Sequence, residues 1–299
     1  MTELEKLFVL KLDDKKLDET KAKEAKPSKP TKVTLLDGKR SMNTGISIAR
    51  IKMSYREIRE SIMSLKDNSL NEDQLKQLVE FMPTEEEEVI LKKYRSDGNN
   101  LEMLGEPEKF MLEMTEMPQK VERVEAMVFK EQFMNKVSEL NGTSNLVEAA
   151  CDDVKLSLRL KKLLSIILAL GNALNQKGEV GFTLGSLLKL STAKAFDMKT
   201  SILHYLVRLA ETFDVTLLDF KDDLKHVFPA SRVVITELDV EIDRLEKGNQ
   251  LFKQVVMKDN PYFEKEEAKQ SLNSFINKVE NELQNSKKLI EKIKEKFAN

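Results

Sequence analysis

From Val33 onward, apolar residues recur at steps of three and four, the period of an amphipathic α-helix, and the pattern stays helical to the end. Three helix starts carry the capping-box spacing: Ser54 with Glu57, Asn71 with Gln74, and Thr84 with Glu87. The last of these makes the acidic run Glu85 to Glu88 a first helical turn, where carboxylates complement the positive end of the helix dipole. Met103, Met111, Met114, Met117, Met127 and Met134 run through a helical stretch broken at Pro118, and such residues are expected to fill core gaps. The segment from Asn145 to Leu174 is the most apolar of all, too apolar all round for a surface helix, so its end is expected at the centre of a helical layer. Ile235, Leu238, Ile242, Leu245, Asn249, Phe252 and Val256 then form a coiled-coil seam with one polar position. Beyond a break at Pro261 a second series follows, Leu272, Ile276, Val279, Leu283, Ser286, Ile290, Ile293 and Phe297, and together they predict two long helical arms.

Ahead of all this, residues 11–33 are almost bare of large apolar side chains and hold Pro27 and Pro30. They read as a flexible tether behind an apolar patch, Leu7 to Leu10.

Composition narrows the function classes. In 299 residues, 49 Lys and Arg face 51 Asp and Glu, a formal net charge of −2, which removes the strongest case for a nucleic-acid partner. Only 10 Gly and 7 Pro leave too few turn signals for a many-stranded sandwich, so the fold class is all-α. The single cysteine, Cys151, cannot close a disulfide within the chain, and the opening MTELEKLFVLKLDDKK is unlike a signal peptide, which points to the cytoplasm. The longest apolar stretch, Leu163 to Leu174, falls short of the ~20 residues that span a bilayer, so no membrane partner is expected. His204 and His226, the only histidines, have no Cys, His or acidic neighbour at metal-ligand spacing, and Gly178, Gly181 and Gly185 lack the Lys-Ser/Thr of a phosphate loop. No enzyme, no cofactor and no metal site is expected, which leaves an elongated interaction protein.

Three stretches carry a resemblance. Leu35-Leu36-Asp37, Lys39-Arg40 and Asn43-Thr44-Gly45-Ile46 resemble the opening of the knob of the formin homology-2 domain. Pro107 to Phe133 is similar to that family's knob helices, including the Pro118 break and the Phe129-Lys130 step. Gly171-Asn172-Ala173-Leu174-Asn175 resembles the family's GN-x-x-N signature and is trailed by Gly181 to Leu206. The resemblance implies a lasso remnant at 1–10, a linker at 11–33, a knob at 34–135, a post and coiled-coil region at 136–256 and a C-terminal helix at 257–299.

What the resemblance implies about function is an actin-binding core at filament barbed ends that, when dimeric, nucleates actin and stays attached as subunits add. Ile46 matches the knob isoleucine that inserts into an actin cleft, and Lys194 the post lysine that meets acidic actin surface. Lys199 and Lys130 are further basic candidates. Gly171, Asn172 and Asn175 match the post signature that receives the lasso of a partner chain. Family lassos use tryptophan as an anchor and extend further upstream, whereas this chain has no Trp. Both departures count against homodimerisation by this chain. On the residues alone, the competing reading is a helical scaffold that pairs with another coiled coil through the 235–256 seam.

Overall fold

In a computed structural model that describes residues 32–176, 178–194, 198–257, 261–263 and 266–298, all three capping boxes form as reciprocal side-chain and backbone hydrogen bonds. Each cap satisfies backbone donors that the helix leaves open and stabilises it by about 1 kcal/mol. They open α2 (Tyr55–Met63), α3 (Glu72–Phe81) and α4 (Glu85–Ser96), while Asp37 caps α1 (Gly38–Ile48) by accepting from the Lys39 and Arg40 backbone N–H groups. Two carboxylates of α4's first turn are also paired: Glu87 takes the Arg40 guanidinium of α1, and Glu88 takes Lys92 of its own helix and Lys120.

Helices α1, α2 and α4 pack around α5 (Glu106–Met114), whose Phe110, Met111 and Met114 are fully buried. Met117 and Met127 join the same core, as the methionine reading expects, whereas Met134 is 38% exposed. After the break at Pro118 comes α6 (Lys120–Leu156), 37 residues and therefore about 55 Å long. This helix runs unbroken through residue 135, where the sequence places the end of the knob.

The two predicted arms are α10 (Ile235–Met257) and α11 (Glu266–Ala298), and they pack against α6 and each other. Leu238, Ile242, Leu245, Asn249 and Phe252 are buried as predicted, but the next seam position is Val255 rather than Val256. The seam steps by three there because Phe252 and Val255 turn into the knob core, with Phe263 and Leu272. In the second series Ser286 donates to Asn141 Oδ1 of α6 at 2.7 Å, which gives its buried hydroxyl a partner, and the last member, Phe297, is 67% exposed. Phe129, Phe133, Phe252 and Phe275 join the three helices in one aromatic cluster. Gly248 permits that approach, since a Cβ there would run into the Phe129 ring.

The remaining helices are α7 (Leu158–Asn175), α8 (Ile202–Phe213) and the short α9 (Val227–Ala230), with 3-10 segments at Leu184–Leu190 and Val215–Asp223. Here the structure corrects the sequence reading. The apolar segment Asn145 to Leu174 is two helices, divided at Ser157, which caps α7 through the Leu160 N–H and donates to Asp223 at 2.9 Å. Its second half is not the centre of a layer: only Leu163 of α7 is buried, in a small cluster with Ala210 and Leu217. The tether reading of 11–33, apart from Lys32 and Val33, and the apolar patch Leu7 to Leu10 lie outside the described residues.

Candidate functional site

Helix α1 buries Thr44 and Ile48 and sits close to α5, with Gly45 facing Pro107. That choice of buried face fixes the opposite one: Ile46 is 48% exposed and Met42, one turn earlier, 67%. Ile46 is therefore not part of the core. Met42 is a neighbour that the i,i+4 spacing makes visible in the sequence but that motif matching passes over.

The signature Gly171, Asn172 and Asn175 lies in the last turn of α7, which runs past the glycine and is closed by Gln176 in the left-handed region (φ 52°). The glycine therefore does not end the helix. The Asn172 side chain donates to the Glu179 carbonyl and accepts the Glu179 N–H, both at 2.9 Å. It thus clamps the following loop as donor and acceptor at once. Asn175 is exposed beside it. These residues line a hollow of about 370 Å³ with Ile167, Phe182 and Leu190.

Lys194 borders a larger apolar groove of about 780 Å³, walled by Leu170, Leu174, Met198, Ile202 and Tyr205. Lys194 and Ser201 form an isolated antiparallel bridge, and Ile202 N–H donates to the Ala193 carbonyl at 3.0 Å, so the segment holding the lysine is pinned to the start of α8. The Lys194 side chain is exposed and forms no ion pair among the described residues. Lys199, in the bend before α8, is exposed as well.

Lys130 is placed differently. Its ammonium pairs with Asp67 at 2.6 Å, donates to the Leu65 carbonyl at 3.2 Å and lies over the Phe275 ring, and its side chain is only 13% exposed. That is the geometry of a side chain fixing the turn after α2. The structure therefore gathers the GN-x-x-N residues and Lys194 around α7 and α8, and leaves Ile46 on α1 and Lys130 on α6.

Two features escaped sequence reasoning. Leu174, Met198 and Tyr205 wall the groove, and nothing in their local pattern marks them. Ser201 and His204 form a fourth capping box, whose spacing was legible but whose histidine replaces the usual Glu or Gln. Among the described residues no group of three or more His, Cys, Asp and Glu side chains is arranged to hold a metal ion. No helix among them is long and apolar enough to cross a membrane.

An all-α chain with this cluster of capped helices around α5, a triple-helix body and the signature helix falls into a defined class. The family model described as Formin Homology 2 Domain matches residues 1–299, and the chain belongs to that family. Formin-like protein 6 of Oryza sativa subsp. japonica is 37% identical over 254 residues, covering 83% of this chain and 18% of that protein. Formin-like protein 5 of the same organism is 35% identical over 255 residues, covering 83% of this chain and 15% of the relative. Formin-like protein 14 of Arabidopsis thaliana is 36% identical over 261 residues, covering 86% of this chain and 21% of the relative. The chain thus spans 15% to 21% of the length of these relatives.

Proposed function

We propose that this chain is a formin-type actin-binding core that acts at filament barbed ends, with one contact on the knob and one on the post. The observation that carries the reading is the exposure of Ile46 beside Met42 on α1, in a chain of this family. Full burial of a branched aliphatic side chain in a partner's cleft contributes ~1.5–3 kcal/mol, enough for an anchor. Lys194, exposed at the groove rim, supplies the cation for an acidic actin surface, and Lys199 adds charge on the same side. Lys130 serves from within, holding the turn after α2 in place.

The hollow at Gly171, Asn172 and Asn175 and the adjoining groove are suited to an apolar segment of a second copy, as the family's lasso requires. When so paired, the chain nucleates actin and stays attached as subunits add. The scaffold reading is disfavoured because Leu238, Ile242 and Leu245 are already buried against α6 and α11. A coiled-coil partner would find that seam occupied.

Seeded elongation at barbed ends tests the proposal. This chain is expected to alter the elongation rate, and the Ile46→Ala, Lys194→Asp double variant to lose most of that effect while keeping its helical content. An equal effect of both proteins would overturn the residue assignment, and no effect of either would overturn the barbed-end reading for this chain.

A further inference from the structure

The capping box that opens α8 depends on the protonation of one side chain. Ser201 is 5% exposed, and its hydroxyl oxygen accepts the His204 backbone N–H at 3.3 Å. In return, Nδ1 of His204 accepts the Ser201 backbone N–H at 3.2 Å and lies 2.8 Å from Ser201 Oγ. A backbone N–H only donates, so Nδ1 must keep its lone pair, and the box closes only on a neutral imidazole. Glu or Gln, the usual residues at this position, accept at any pH near neutrality. Histidine is the side chain that changes charge between about pH 5 and 8.

The box is mechanically joined to Lys194. Ser201 is the bridge partner of Lys194, Ile202 donates to Ala193, and Lys194, Ser201 and Ile202 border the same groove. Charged groups on the elements around this turn are Lys189 and Lys194 on the preceding segment, Lys199 in the bend, and Arg208 and Glu211 further along α8. On α7, whose Leu170 and Leu174 line the same groove, the basic Arg159, Lys161 and Lys162 lie at the far end. Asp219, Asp222 and Asp223, with Lys221, belong to the 3-10 segment whose Leu217 packs at Ala210, toward the other end of α8. The box as the structure holds it has Nδ1 accepting, as a neutral ring does.

We propose that Ser201 and His204 are positioning residues for Lys194, and that a proton taken up at His204 Nδ1 opens the box and frees the Lys194 segment. The post's hold on an acidic partner surface is then weaker in acid than at neutral pH. This rests on the reading of Lys194 as an actin contact, so the test has two arms.

The first arm uses this chain alone. Amide hydrogen exchange, corrected for intrinsic rates, is followed at Ser201 and Ile202 near pH 7.5 and 5.5 in the native chain and in His204→Gln, which keeps an acceptor and does not titrate. Protection in the native chain is expected to fall roughly tenfold or more in acid, as expected for loss of a buried donor's partner, and to hold in His204→Gln. Equal protection at both pH values in the native chain, or an equal fall in both proteins, overturns the switch whatever actin does.

The second arm is seeded actin elongation at the same two pH values, read as the ratio of native to His204→Gln so that actin's own pH response cancels. The expected ratio falls severalfold in acid. A box that opens with no change in this ratio overturns the coupling to Lys194. Absence of any effect on actin at pH 7.5 overturns the actin-contact role and the coupling with it, and leaves the exchange arm to decide the capping switch alone.

Discussion

The helices α7 and α8, proposed above as the post, are built from more apolar sequence than the α6, α10 and α11 body, yet they end the less buried of the two. In the body, α5, α6, α10 and α11 bury Phe110, Phe133, Phe252, Leu283 and their neighbours almost completely; of the polar seam positions, Ser286 finds a partner, while the buried Asn249 Oδ1 has none among the described residues. In the post, the shared core reduces to Leu163, Ala210 and Leu217. Leu158, Leu174, Leu188 and Phe213 stay at 60% exposure or more. The other described residues leave these side chains uncovered. Helices around a long axial partner complete their own packing, whereas the post keeps an apolar surface open.

The largest expected effect breaks the body. Phe252 is fully buried where α6, α10, α11 and the knob core meet, and Phe→Ala at such a site costs ~3–5 kcal/mol from lost burial and the cavity left behind. Denaturant titration of Phe252→Ala is expected to show the whole body losing stability by that amount. A loss below ~1 kcal/mol would mean that the aromatic cluster is not the keystone of the body.

Leu163→Ala makes the matching cut in the post. Its expected cost is ~2 kcal/mol, at the low end for Leu→Ala, because half-exposed neighbours can collapse into the gap. The effect should be confined to the post: amide protection falls in α7 and α8 and is kept in α10 and α11. An equal fall in α10 and α11 would show that body and post unfold as one unit, and the contrast between them would lose its energetic meaning.

How much of this was legible depended on how far away the deciding group lies. The capping boxes at Ser54, Asn71 and Thr84 involve residues three apart, and sequence spacing suffices to find them. The α10 seam is also local in period, and it fails only at Val256, where the helix turns into a knob core assembled from distant segments. The post was misread because hydrophobicity reports what a segment avoids and not what covers it. The division at Ser157 is secured by Asp223, 66 residues away, and no local signal announces it. The same holds at the site. Ile46 is exposed only because α1 turns Thr44 and Ile48 toward α5, and Lys130 is tied down by Asp67 and the Leu65 carbonyl, contacts that a motif cannot specify.

The smallest expected effect sharpens the comparison at the edge of the body, where the chain enters the knob. Val33 bridges to Leu104, and Lys32 reaches Glu106 at 2.9 Å, while Tyr55 donates its hydroxyl to the same carboxylate at 3.0 Å. The hydrogen bonds from Lys32 and Tyr55 hold the Glu106 carboxyl down to about 2, and burial, followed by the hydrogen bond to Glu106 and then its charge, pushes Tyr55 up to about 12. A carboxylate held below its ordinary value contributes stability above the usual carboxylate range and loses it as pH falls toward the lowered value. The difference in stability between the native chain and Glu106→Gln should therefore be constant near neutrality and shrink between about pH 4.5 and about 2. Because half of the Glu106 side chain is solvated, its size stays below ~1 kcal/mol. Tyr55 has the opposite sign, contributing below its ordinary value of 10.0 and losing that contribution as pH rises toward about 12. Urea titrations of the native chain, Glu106→Gln and Tyr55→Phe across both windows check the two signs. A Glu106→Gln difference that is the same near pH 7 and near pH 2.5 would show that the ionised carboxylate contributes nothing to holding the entry segment on the knob.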